Sequence, residues 1–209
     1  MITLEMLEKR WPNGDQHIAG LREGIIAAAP DVFQKYGLTK PIAIAHFMAQ
    51  ASEECGQGLE MTESLNYTAT RLRQVWPSHF TATMAQRWAH NEKMIGEIAY
   101  GGRMGNGKPP STDGYDFRGR GMTQVTGRDG YSALQKTLDN GWDLLTNPDL
   151  IIDPEYTLEC GVADWINCGC LAPAMADDII TETKRLNGGT NGLAERKRQL
   201  RLWKTELGL

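Results

Sequence analysis

The sequence predicts a mostly α-helical protein, on three observations. Apolar residues recur at helical spacing in one segment after another. Proline, glycine and cap-forming Thr, Asp and Asn fall where those segments would start and stop. No stretch longer than four residues alternates strictly between apolar and polar, so sheet is at most minor. The 209 residues, 41% hydrophobic and 23% charged, suffice for one domain with a substantial core, whole or divided into two lobes.

In chain order, Leu4, Leu7 and Trp11 mark a first helix that Thr3 can cap and Pro12-Asn13-Gly14 ends. His17, Ile18, Leu21, Ile25 and Ala28 predict a second, ended by Pro30. Asp31 then caps a short third helix through Val32, Phe33 and Tyr36, closed by Gly37. Thr39 caps the next, with Pro41 in its first turn. There Ile42, Ala45 and Ala49, with Phe47, Met48 and Ala51, fill most of the circumference with apolar groups, as in a core helix, until Gly56 and Gly58 stop it. Residues 68–80 and 81–100 give two more helical patterns, with Pro77 between them. Seven glycines and two prolines make residues 101–121 a long ordered loop or flexible arm. Asp153-Pro154 starts a buried helix carrying Leu158, Val162, Trp165 and Ile166. Met175, Ile179, Ile180 and Leu186 continue the pattern to Asn187-Gly188-Gly189. The last helix, from about Gly192, has its stripe at Leu193, Leu200, Trp203 and Leu207.

Several function classes are excluded. No run approaches the ~18 to 20 apolar residues of a membrane span, and residues 1–30 show no basic start followed by an apolar run, so no secretory signal is expected. Gly102-x4-Gly107-Lys108 almost spells a phosphate-binding loop, but Pro109 stands where Ser or Thr is needed and the preceding segment reads as helix rather than strand. Cys160, Cys168 and Cys170 match no zinc spacing and have no His nearby, so with Cys55 they are expected to be thiols, and no metal is expected. A net charge of −4 does not suggest nucleic acid as a partner. That charge is uneven: between residues 184 and 204 seven basic side chains face only Glu195, a local +6 that leaves −10 elsewhere. A basic C-terminal face of this kind suits weak contact with anionic wall polymer or membrane.

Glu53 and Glu54 fall in the last turn of the core helix, where the helix dipole disfavours a carboxylate. Glu54 shares a face with Gln50 and Phe47. A carboxyl group in that setting suits a general acid. Glu63 follows nine residues later, past a glycine-containing turn and in the polar segment TESLNY, so the chain can reverse and set the two carboxylates across a cleft. Two glutamates in contrasting environments form the acid and base pairing used to cleave glycosidic bonds. At the far end of the chain, position 196 lies on the apolar stripe of the last helix, so Arg196 points inward and needs a carboxylate partner.

AHFMAQASEECGQG followed by TESLNY resembles the catalytic segment of glycoside hydrolase family 19, the chitinase-like enzymes that include many phage endolysins. The family pattern reads FLAQ, two residues, His-Glu, then a second Glu shortly before Asn-Tyr. Glu53 stands here in place of the His. FRGRGMTQVTGRDGY resembles the family strip carrying GRG, Gln, Thr or Ser, and Asn-Tyr, with Gly130 where the family has Asn. AYGGRMGNG is similar to the YxxRMGN segment of phage members, to which no role attaches.

The resemblance spans roughly residues 40–200. It implies a lysozyme-like helical fold of two lobes with a cleft between them: a single catalytic domain over 1–209, with the larger lobe at about 1–70 and 130–209 and the smaller at about 71–129. It implies Glu54 as general acid, Glu63 as base and Thr126 as the hydroxyl that orients the attacking water. Gln50, Tyr67, Arg120, Gln124 and Asn187 would bind sugar or support the cleft, and Arg196 would pair with Glu54. The implied reaction is inverting hydrolysis of β-1,4 bonds beside N-acetylated sugars, with no metal or cofactor. A monomeric endolysin acting on peptidoglycan is the expected protein, a muramidase held in the host cytoplasm and released to the wall by a holin or similar route. A chitinase and a non-catalytic glycan-binding protein are the alternatives.

Overall fold

A computed structural model describes residues 1–209. Its helices are α1 (Leu4–Arg10), α2 (Leu21–Lys35), α3 (Pro41–Glu54), α4 (Ala69–Val75), α5 (Ala82–Trp88), α6 (Glu92–Tyr100), α7 (Asp113–Asp116), α8 (Gly127–Leu138), α9 (Thr157–Asn167), α10 (Leu171–Met175), α11 (Ile179–Asn187) and α12 (Leu193–Glu206), with short 3-10 turns at Gly56–Gly58 and Pro148–Ile152. The only β pairing is two isolated bridges, Thr62 to Arg120 and Arg120 to Val125. The mostly α-helical class expected from the sequence is the one observed.

Several boundaries differ from the sequence reading. Residues 21–35 form one helix running through Pro30, where the pattern suggested two. Pro30 removes the N–H that would bond Ile26, yet Leu21, Ile25, Ala29, Val32 and Phe33 make one continuous buried stripe, and that burial outweighs the lost bond. Lys40, not Thr39, precedes α3, and no side chain caps it. The single pattern over 81–100 divides into α5 and α6, because His90 takes a positive φ and Asn91 accepts the Met94 amide to start a new helix. Residues 153–156 are a turn, and α9 begins at Thr157. α8 was not anticipated at all; its stripe of Tyr131, Leu134 and Leu138 is buried against α9. The glycine-rich stretch is ordered and includes α7, which packs on α6.

The largest core lies around α3, between α1, α2, α9, α10 and α12, with Phe47 edge-on to Phe33 and Trp165. α3 is nearly solvent-free from Ala43 to Ser52. A smaller cluster gathers Leu65, Leu72, Phe80, Ala85 and Ile95 from the 65–100 region, and a third joins Phe117 and Tyr131 to Leu144, Ile151 and Cys160. Polar groups lock α3 in register. Buried His46 contacts Glu182 at 2.5 Å and Asp177 at 2.9 Å, and Glu182 also accepts the Trp165 indole N–H. Burial alone would lower the proton affinity of His46, but its two carboxylate partners outweigh that and raise it. The C-terminal end of α3, with Glu53 and Glu54, packs directly against α12.

Candidate active site

Glu54 is the last residue of α3. One of its carboxylate oxygens accepts from Arg196 Nη2 at 2.6 Å, and the other has no protein partner. Arg196 is 4% exposed, which confirms its inward direction, and its other donors reach the Gln50 side-chain oxygen and the Asn191 carbonyl. Gln50 in turn donates to Thr183 on α11. The chain Thr183, Gln50, Arg196, Glu54 is thus a continuous polar thread across three helices. Truncating Arg196 would leave Gln50 and Glu54 without a buried donor. Arg196→Ala is expected to lower stability by about 3 to 5 kcal/mol. Arg198→Ala, which removes an exposed pair with Glu195, should cost about 0 to 1 kcal/mol. Urea denaturation of both variants checks the contrast.

Glu63 is held differently. Its backbone N–H bonds Gly119 O at 2.8 Å, its Oε2 accepts from Gly119 N at 3.2 Å, and its Oε1 accepts from the Tyr100 hydroxyl at 2.6 Å. Burial, then the bond and charge of Glu63, push the Tyr100 hydroxyl well above the usual phenol range, so it remains a donor. A side chain at Gly119 would meet Gln124 Oε1 at 3.0 Å, Thr126 Oγ1 at 3.3 Å and Glu63 Cβ at 3.4 Å. Glycine there keeps open the space where these three groups converge.

Glu54 and Glu63 line one cavity of about 420 Å³ with Leu59, Glu60, Thr62, Ser64, Tyr67 and Gln124. Gln124 has a positive φ of 56°, a strained backbone, and donates its amide N–H to the Glu60 and Gly121 carbonyls, leaving its side-chain oxygen without a donor. Thr126 precedes α8 without capping it; its hydroxyl donates to Gln124 O and keeps its lone pairs available. Tyr67 stacks edge-on with Trp76, and its hydroxyl bonds no protein group. Burial first, and Glu63 second, raise its proton affinity.

Other expected residues stand outside that cavity. Arg120 is buried and turned away from it, onto the Asp116 carbonyl, the Tyr131 hydroxyl and Asp149, so its part is to hold the 118–126 strip. Asn187 uses both ends of its amide within its own turn, on Asn191 O and Gly189 N. That turn supplies the carbonyl that Arg196 bonds. Gln50 and Arg196 act behind Glu54. The basic C-terminal face is also smaller than its sequence suggests. Lys204 pairs with Asp177, Arg198 with Glu195 and Arg196 with Glu54, and Arg185 donates to Gly169 O.

Two residues escaped the sequence reading. Tyr100 is the tyrosine of AYGGRMGNG, so the motif held a signal but no role. Asp164 lies on α9, and nothing in the sequence marks it. Burial pushes its carboxyl up to about 6, the Thr123 hydroxyl opposes that, and the charge of Glu54 adds to it. A raised folded-state value favours the protonated form, so the contribution to stability is full below about pH 4 and is lost as pH rises through about 6. Asp164→Asn is expected to match wild type in thermal unfolding at pH 4. At pH 7.5 it should gain up to about 2 to 3 kcal/mol.

No protein-family model matches the chain. A glycosyl hydrolase family 19 domain-containing protein of Haemophilus influenzae is 31% identical over 175 residues, 83% of this chain and 84% of that protein. An endochitinase of Arabidopsis thaliana is 34% identical over 82 residues, 38% of this chain and 27% of its own length. Among solved structures, a chitinase C carrying a Glu-to-Gln substitution superposes with a TM-score of 0.67 at 15% identity, covering 99% of this chain and 92% of that one. Chitinase C from Streptomyces griseus gives 0.64 at 17% identity, covering 99% and 76%. These likenesses and the helical fold define a chitinase-like glycoside hydrolase. The chain belongs to glycoside hydrolase family 19.

Proposed function

We propose that this enzyme hydrolyses β-1,4 bonds next to N-acetylated sugars in peptidoglycan by an inverting mechanism, as a phage endolysin of muramidase type. Glu54 is the general acid: it lines the cavity, and the oxygen that Arg196 does not bond carries the proton to the leaving oxygen. Glu63 is the base, held as an acceptor by Tyr100 and Gly119, and removes a proton from water on the opposite face of the sugar. Thr126, whose hydroxyl converges on Glu63 around Gly119, accepts from that water and orients it. Tyr67 and Gln124 contact sugar from the cavity wall. Gln50, Arg120, Asn187 and Arg196 hold these groups in place. No metal or cofactor enters the scheme.

One observation carries this reading: two carboxylates share a cavity but are anchored in opposite ways, one on a buried guanidinium and one on a phenol and a backbone amide. The peptidoglycan substrate is favoured by Tyr100, because the segment resembling phage members delivers the residue that bonds Glu63. We assign the chain to one catalytic domain with lobes at about 1–70 with 130–209 and at about 71–129, acting as a monomer. It waits in the host cytoplasm and reaches the wall by a holin or similar route. Lys184, Lys197 and Arg201, which form no ion pair, make any weak contact with anionic wall or membrane.

The chitinase reading is favoured by the names of the endochitinase and chitinase C relatives. A glycan binder without turnover is favoured by Glu53 and Gly130. Mass spectrometry of muropeptides after digestion of purified walls separates the three. New reducing muramic acid ends support the proposal. Turnover of chitin oligomers with intact walls supports the chitinase, and no product from either supports the binder.

A further inference from the structure

Glu53 stands where the family has His, and the acid and base scheme gives it no part. Its position is nevertheless specific. A Cβ built on Gly192 would lie 2.3 Å from Glu53 Oε1 and 3.1 Å from its Cδ, so the carboxylate is seated directly on that glycine. Gly192 has a φ of 69° and immediately precedes α12, and no side chain caps that helix. The Leu193 amide bonds Thr190 O, while the Ala194 and Glu195 amides have no bonded acceptor. Glu53 accepts no hydrogen bond from these amides, so its carboxylate meets this helix end through contact with the Gly192 backbone. No hydrogen bond from another side chain competes for Glu53. Arg196 lies one turn into α12, and its amide bonds the Gly192 carbonyl at 2.9 Å.

We propose that Glu53 is a positioning residue for the acid, its carboxylate seated on Gly192 fixing the first turn of α12 from which Arg196 reaches Glu54. The role of Glu53 is separate from proton donation, and it rests on the assignment of Glu54 as the acid. Two neighbouring glutamates of α3 thus meet α12 at two points, Glu53 by contact at Gly192 and Glu54 through Arg196. Glu53 is crowded by burial and by Glu195 and Glu54, with Arg196 and Arg198 opposing them. The seat also accounts for glycine at 192: a side chain there would expel the carboxylate, quite apart from its backbone angle.

The test is a kinetic double-mutant cycle on the full chain, with Glu54→Gln measured in parallel. Glu53→Ala is expected to lower kcat about tenfold with KM within about twofold. Glu53→Gln, which keeps an oxygen over Gly192, should stay within about threefold of wild type. In an Arg196→Ala background, Glu53→Ala should add little further loss, because both act through one contact. Gly192→Ala should reproduce the Glu53→Ala phenotype, and if it does not fold the Glu53 variants decide alone. Full additivity of Glu53→Ala and Arg196→Ala would overturn the proposal, as would wild-type kcat for Glu53→Ala. Loss of all activity in Glu53→Gln, with activity kept in Glu54→Gln, would instead overturn the assignment of the acid.

Discussion

Glu54→Gln is expected to fold and to lose about two to four orders of magnitude in kcat on its polymer substrate. The substitution is nearly isosteric. The amide oxygen still accepts from Arg196 Nη2, so the thread from Thr183 through Gln50 keeps its hydrogen bonds. What disappears is the transferable proton of the proposed acid. KM should change little, because Tyr67 and Gln124 line the cavity independently of the proton. Turbidity clearing of cell walls, alongside circular dichroism of the purified variant, measures both halves of the expectation. Substantial lysis by the folded variant would sink the assignment.

Much of this site was legible because it lies on one strongly patterned element. α3 is apolar around most of its circumference, so two adjacent glutamates at its end stand out as charges that packing does not need. Arg196 was legible for the same reason, as a charge on the buried stripe of α12. The N-terminal cap at Thr3 was also correct, its hydroxyl accepting the Met6 amide. Pro30 misled, because a local rule about helix interiors yields to a continuous buried stripe that only the tertiary packing supplies. α8 was missed because its glycines, Gly127 and Gly130, dilute the helical signal at its start.

Long-range partners were harder to read. Tyr100 meets Glu63 across 37 residues, and neither periodicity nor spacing encodes that contact. Asp164 comes within reach of the Glu54 charge because α9 packs against α3, an arrangement of helices rather than a sequence pattern. Arg120 and Asn187 were expected to bind sugar or support the cleft. Only the packed structure shows that their hydrogen bonds go to protein groups, Arg120 to the Asp116 carbonyl, the Tyr131 hydroxyl and Asp149, and Asn187 within its own turn.

Glu63→Ala is expected to lose wall lysis by about 10² to 10⁴-fold and to regain part of it in the presence of azide, with glycosyl azide of inverted configuration as product. An inverting site leaves room for water between its carboxyl groups, about 6.5 to 9.5 Å, where a retaining pair stands at about 5 to 5.5 Å. Removing Glu63 enlarges that space and leaves Tyr100 and Gly119 as free donors at its edge, suited to hold a small anion. Glu54→Gln should show no rescue on a natural substrate, since azide supplies a nucleophile and not a proton. Tyr100→Phe should fall between wild type and Glu63→Ala, because it removes one of the two bonds that fix the base and leaves the base itself. Rescue of Glu54→Gln in place of Glu63→Ala would exchange the two roles. Retained configuration in the wild-type product, read by NMR before mutarotation, would remove the inverting mechanism.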